Sequence, residues 1–256
     1  MIDETDFICL STLPKSGTHY SHHFLVNYLR RLVADTDETL FEKYALEQYP
    51  NRRYDYINRG VPYRTTGPLP PGVRDIVFQH GFASLEEFPG WIIAQTRNPL
   101  DFIVSQFYYR HQARIDPQFH VSGIGAVVEN YAVRWAQAYR AFEALERRDR
   151  KLLHVRYEAL VAEPGGVFRE MLRFVGQPIV DSTVDRTIAD IQVEKYRQAS
   201  AEMTKNPAFT VPLARNGANG QWRTEMSDAD VRCAEAALHK RGYILADVMA
   251  SYGQSM

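Results

Sequence analysis

The stretch "FICLSTLPKSGTHY" (residues 7–20) decides how this chain is read. Phe7, Ile8, Cys9 and Leu10 form a short apolar run, the pattern of a buried strand. Helical spacing begins soon after, with Phe24, Leu25, Tyr28, Leu29 and Leu32 recurring on one face. Between the two lies Leu13-Pro14-Lys15-Ser16-Gly17-Thr18. Gly17 permits a tight turn, and Thr18 is placed to cap a helix running from Tyr20 to Leu32. Such a turn presents backbone N–H groups beside the positive end of a helix, which suits a bound anion. Lys15 adds a mobile cation at the same spot, so the turn is read as a P-loop-like cradle for an ester phosphate.

Strands and helices alternate outward from that turn. "DIVFQH" (75–80), "GWIIAQTR" (90–97) and "KLLHVRYE" (151–158) read as further strands. Residues 37–48 read as a helix, and "SLEEF" after the second strand as a short helix or turn. After Arg97 a helix opens with Asn98 as its cap and Pro99 at its first position. Val127, Tyr131, Trp135, Ala138, Phe142 and Leu145 mark the buried face of a long helix. "GGVFREMLRFVG" is a helix closed by Gly176, residues 182–197 are helical, and a last helix over 227–241 starts at Ser227 and Asp228. Residues 49–73 and 203–226 read as long loops. The order implies an α/β fold of three layers, a mostly parallel central sheet with helices on both faces, in one domain over 1–256. The loops after the strands then share one sheet edge, where ligands of such folds bind. Leu13–Thr18, His80 and Arg97–Asn98 all fall there.

Composition narrows the class. The chain has 256 residues, 30 basic and 31 acidic, and a formal net charge of −1, so no basic excess marks a nucleic-acid binder. Cys9 and Cys233 are the only cysteines, which supports no disulfide framework. "MIDETDFICL" opens acidic, unlike a secretory signal, and no apolar run approaches the roughly 20 residues of a membrane span. The expectation is a cytoplasmic protein without a nucleic-acid or membrane partner.

Two further stretches carry chemistry. In "TRNPLDFIVSQFYY" (96–109), Arg97 ends a strand and Ser105 lies two helical turns into the next element, so both reach one anion if Ser105 faces Arg97. In "ARNGANGQWR" (214–223), Arg215 supplies charge and the amides of Asn216 and Gly217 can form an anion nest. Taken singly, each has a plain alternative: a surface lysine on a turn, a capped helix with an exposed arginine, a glycine-rich loop. A nucleoside-triphosphate P-loop, G-x-x-x-x-G-K-[ST], fits poorly, because the first Gly is missing and Lys15 precedes Gly17.

Together the three stretches resemble the soluble sulfotransferases that use 3′-phosphoadenosine 5′-phosphosulfate (PAPS). The resemblance runs from about residue 6 to about 225. It implies that Pro14-Lys15-Ser16-Gly17-Thr18, with His19, holds the 5′-phosphate side of PAPS, and that Tyr20 stacks on the adenine. It implies that Arg97 and Ser105 hold the 3′-phosphate, and that the loop from Arg215 through Asn216 and Gly217 to Trp222 closes over it. Tyr157 matches the family's Tyr-Glu near the adenine, and Tyr20 stands where Trp is usual. Lys15 is implied to stabilise the leaving phosphate, with Ser105 beside it, and His80 to act as general base; adenosine 3′,5′-bisphosphate (PAP) is the product and no metal takes part. Glu38 or Glu42 is the reserve base. Two cations usual in the family are absent: Phe78 replaces a lysine before the histidine, and Asn216 replaces one in the late loop.

His19 and His23, four apart on one helix, align as zinc ligands can, but no third ligand follows at a recognisable spacing. Tyr49, Tyr54, Tyr56, Tyr63, Phe82, Tyr108, Tyr109 and Phe119 are candidates for the wall of an acceptor pocket, in a chain with 15 Tyr and 13 Phe. The acceptor is expected to be a small molecule with a hydroxyl or an amine, an alcohol or an aromatic among them. The rival readings are a nucleotide phosphotransferase and a degenerate protein that binds PAP without turnover. The first lacks an acidic magnesium ligand after "VFQH" or "IIAQTR".

Overall fold

The computed structural model describes residues 7–34, 75–82, 85, 88, 90–112, 120–148, 151–192, 195 and 217–256. Its frame is a four-stranded sheet in the order β2-β1-β3-β4. The strands are β1 (Phe7–Thr12), β2 (Asp75–His80), β3 (Trp91–Thr96) and β4 (Leu152–Arg156). Every pair is parallel. The register sets Thr12 opposite His80 on one side and Gln95 on the other, so three strands end flush at one edge.

Helices cover both faces, and the alternation of the strands sorts their side chains. Ile8, Leu10, Ile93 and Val155 pack with Phe24, Leu25, Tyr28 and Leu29 of α1 (Thr18–Ala34). Phe168, Met171 and Leu172 join them, carried by the helix Pro164–Phe174. On the other face, Cys9, Ile92 and Ala94 meet α2 (Pro99–Phe107), α3 (Val128–Glu146) and Leu238 from the helix Asp228–His239. Strands buried on both sides read as unbroken apolar runs, as "FICL" and "WIIA" do. Arg31 ties α1 to the helix Asp181–Asp190 through Thr187 Oγ1 at 2.9 Å and Asp190 Oδ2 at 2.8 Å.

Several boundaries differ from the sequence reading. Thr18 is the first helical residue, not the cap: the Ser21 amide donates to the Gly17 carbonyl at 3.2 Å. Tyr157 and Glu158 leave the fourth strand and open α4 (Tyr157–Ala162). With α5 (Pro164–Phe174) and α6 (Asp181–Asp190) following, the end of the late loop forms α7 (Trp222–Glu225). Then come α8 (Asp228–His239), opened by a capping box of Ser227 and Asp230, and α9 (Leu245–Ser251), which periodicity did not mark. The helix expected over 37–48, the loop 49–73 and most of "SLEEF" lie outside the described residues.

A polar cluster joins α9 to the sheet. The Tyr252 hydroxyl donates to Thr96 Oγ1 at 2.9 Å, and Thr96 Oγ1 is hydrogen-bonded to His154 Nε2 at 2.7 Å. Burial, and then the charge of Arg156, lowers His154 from 6.5 to about 4. Unfolded His154 takes a proton that the folded protein refuses between those two values. Stability is therefore full above pH 6.5 and falls on acidification to about 4, by on the order of 3 kcal/mol. Urea unfolding at several pH values checks this: His154→Gln should remove that part of the acid loss, and an unchanged slope would refute it.

Candidate functional site

The turn after β1 is fixed to the neighbouring strand before any ligand is considered. The Leu13 amide donates to the Gln95 carbonyl at 2.8 Å, and the Ser16 amide to the Leu13 carbonyl at 3.1 Å. The Ser16 hydroxyl is fully buried and donates to the Leu13 carbonyl at 2.6 Å, while the Gln95 side chain donates to the Ser16 carbonyl. Ser16 thus closes the turn from within. Lys15 takes φ +69° and Gly17 φ +86°, both in the left-handed region. A methyl group on Gly17 would meet the Tyr157 ring at 2.5 Å, so glycine is required there for space as well as conformation. Lys15 directs its ammonium over the Tyr109 ring, 4.4 Å from the centroid. No acidic residue stands in the first turn of α1 to oppose an anion.

The segment after β3 makes the second wall. Asn98 caps α2, accepting from the Asp101 amide at 2.8 Å. Its own amide and side chain donate to Glu158 Oε1 at 3.0 and 2.7 Å. Burial pushes the Glu158 carboxyl up, against these bonds and the charge of Arg97. Arg97 is 4 % exposed. Its Nη1 donates to the Lys15 carbonyl at 3.2 Å and its Nη2 to the Ala218 carbonyl at 3.0 Å, with the guanidinium 4.3 Å over the Tyr157 ring. Its Nε is buried with no partner among the described residues. Ser105 is the one residue of α2 that is not buried.

The late loop is drawn onto this wall. Asp101 accepts from the Gly220 amide at 2.8 Å and from the Trp222 amide at 3.2 Å. The Tyr157 hydroxyl donates to the Gly217 carbonyl at 2.6 Å, and Asn219 to the Glu158 carbonyl at 3.3 Å. Gly217 thus lies against Tyr157, while Arg215 and Asn216 lie outside the described residues.

The other sequence candidates divide. His80 ends β2 exposed, with Nδ1 3.1 Å from Thr12 Oγ1, which is 2.7 Å from Thr18 Oγ1. Tyr20 meets Phe168 edge-on at 5.2 Å, and burial, then the neighbouring Tyr157, raises its hydroxyl to about 12. His19 stacks on His23 at 6.1 Å, and burial, then His22 and His19, holds His23 well below the ordinary range. Among the described residues no group of three or more His, Cys, Asp or Glu is arranged to hold a metal ion. Phe82 is a core residue, 2 % exposed and packed on Phe142, rather than a pocket wall. Tyr108 donates to Glu225 at 2.6 Å. Tyr49, Tyr54, Tyr56, Tyr63, Phe119, Glu38, Glu42 and the Phe78 side chain lie outside the described residues. Residues the sequence reading passed over are Thr12, Gln95 and Asp101; a glutamine inside an apolar strand and a carboxylate three after an Asn cap were the available signals.

Among the described residues no helix is long and apolar enough to cross a membrane. The sheet and its helices are similar to those of retinol dehydratase in complex with retinol and PAP, at 15% identity and a TM-score of 0.66, over 94% of this chain and 82% of that one. They are also similar to mouse sulfotransferase SULT7A1 complexed with PAP, at 19% identity and a TM-score of 0.64, over 98% and 89%. A third similar structure is a putative steroid sulphotransferase of Arabidopsis thaliana, at 13% identity and a TM-score of 0.51, over 100% and 80%. No curated protein sequence matches the chain. The family model described as "Sulfotransferase domain" matches residues 5–242, and with that match over the lysine turn, the arginine wall and the late loop, this chain belongs to the sulfotransferase domain family.

Proposed function

We propose that this protein moves a sulfuryl group from PAPS to the hydroxyl of a small acceptor, with His80 as base. The observation that carries the reading is Arg97: a buried cation beside the lysine turn, with one N–H unpaired among the described residues. An orphaned buried donor of this kind is costly unless an acceptor joins it, and a phosphate oxygen supplies one. Arg97, Ser105 and the loop at Gly217 would hold the 3′-phosphate; Lys15, Thr18, His19 and the start of α1 the 5′ side; Tyr20 and Tyr157 the adenine. Ser16 supports the cradle by fixing the turn. Arg215 and Asn216 extend the loop's part in this reading.

When bound, PAPS supplies the sulfuryl group, its bond to the 5′-phosphate oxygen breaking with the electron pair left on that oxygen as the acceptor oxygen bonds to sulfur. His80 takes the acceptor's proton on Nε2, since Nδ1 faces Thr12. Lys15 places a positive charge where negative charge grows, usually the largest single contribution. Tyr109, half-buried beside Lys15, and its half-buried neighbour Tyr108 offer an aromatic wall to the acceptor. Free Cys9 and Cys233 accord with a reducing, cytoplasmic setting.

Calorimetry with PAP and with ATP, followed by radiolabelled transfer from PAPS to phenols, alcohols, amines and sugars, tests the proposal. PAP should bind and ATP should not; the reverse would establish a phosphotransferase, and PAP binding without transfer to any class a silent binder. His80→Ala should lower turnover by about 10²-fold or more while PAP affinity changes less than about threefold. Near-normal turnover would remove His80 from its role. Asp101→Ala should loosen the late loop: amide exchange at Gly220 and Trp222 should rise about tenfold or more, with about 2–4 kcal/mol of stability lost. Unchanged exchange at those amides would show that another contact holds the loop.

A further inference from the structure

We infer that Thr12 is a positioning residue through which an anion on the lysine turn decides which nitrogen of His80 is basic; this rests on the reading of His80 as base and Thr18 as a phosphate contact. Thr12 is fully buried and Thr18 is 4 % exposed. The Thr12 hydroxyl lies 2.7 Å from Thr18 Oγ1 and 3.1 Å from His80 Nδ1. Among the described residues these two hydroxyls have no further hydrogen-bond partner. The backbone holds the row in place: Thr12 and His80 are register partners, and the Gly81 amide donates to the Thr12 carbonyl at 2.9 Å.

Each hydroxyl has one proton, so the row has two complete directions. In one, Thr18 donates to Thr12 and Thr12 donates to Nδ1. The proton of a neutral His80 then sits on Nε2, and that nitrogen cannot take another while the ring stays neutral. In the other, Nδ1–H donates to Thr12, Thr12 donates to Thr18, and the Thr18 proton points toward the turn. Nε2 then carries a lone pair and is ready to act as a base. A mixed arrangement, with Thr12 accepting from both sides, leaves a buried O–H unpaired, which is costly. An anion on the turn accepts from Thr18 and selects the second direction. The base is armed by the donor's own phosphate side, across two hydroxyls.

The test is nitrogen-15 NMR of the histidine side chains, with His80 assigned by a His80→Gln variant, in the free protein and with PAP, whose binding is first measured by calorimetry. PAP should move His80 toward the tautomer with its proton on Nδ1. In Thr12→Val that response should vanish, PAP affinity should change less than about threefold, and kcat should fall about tenfold or more with KM little changed. Thr12→Ser should restore both the response and the rate. PAP binding that leaves the His80 spectrum unchanged, or a normal response in Thr12→Val, overturns the inference. Should Thr12→Val fail to fold, the wild-type spectrum with and without PAP decides alone. A wild-type protein that gives no heat with PAP overturns the donor reading itself and this inference with it.

Discussion

The binding edge is organised by a carboxylate that water does not reach. The Asp101 side chain is fully buried, and an ionised carboxylate in that setting is tolerated only when donors surround it. Asn98, Gly220 and Trp222 provide N–H donors, the first turn of α2 provides its dipole, and Arg97 lies 4.0 Å away. These partners come from two chain segments more than a hundred residues apart, so satisfying one charge also fixes the late loop on the arginine wall. The same balance limits the field at the site. Asp101 offsets much of the charge of Arg97, so the positive field at this edge comes largely from Lys15 and the N-terminal end of α1. Burial of Glu158 works in the opposite direction, because it favours the uncharged carboxyl beside Asn98 and so takes less from the positive charge there.

The topology explains why the two walls face each other. The chain leaves β1 for β2 on one side and returns to β3 on the other, so the loops after β1 and β3 diverge at the sheet's switch point. Hydrogen bonds then lock them: Leu13 to Gln95, Gln95 to Ser16 and Arg97 to Lys15 all cross between them. Trp135 holds the outer wall by donating to the Arg97 carbonyl at 2.8 Å.

How far this was legible in the sequence depended on range. Local physics was readable: the apolar strand before the lysine turn, the Asn98–Pro99 helix start and the Ser227 start all stand where propensity and capping chemistry put them. The apolar run "KLLHVRYE" reads as strand through Glu158, but the strand ends at Arg156 and Tyr157 turns inward to Gly217 as a helix opens. The segment Leu245–Ser251 was too short to display a period, and its burial comes from packing beside α8. The contacts that build the site were hidden for a different reason. Asp101 with Gly220 and Thr12 with His80 are pairs distant in sequence, and only a parallel register or a folded-back loop brings them together. Motifs marked the lysine turn and the arginine wall; they carried no information about what fastens one to the other.

The position of Lys15 before the glycine follows from the same geometry. At φ +69° a non-glycine residue stores about 1–2 kcal/mol of strain, and the bonds closing the turn at Leu13 and Ser16 hold it there. The lysine side chain thereby leaves the turn toward the residues that follow α2, where the Tyr109 ring receives it. A cation over an aromatic face at an accessible site is worth about 0.5–1 kcal/mol, whereas hydrogen bonds to charged groups are worth about 1.5–3 kcal/mol. The Tyr109 hold is therefore the weaker one. It is a hold that a hydrogen bond to a charged acceptor outweighs. A lysine placed after the glycine, within the helix, would project from α1 and lose this seat between the two walls.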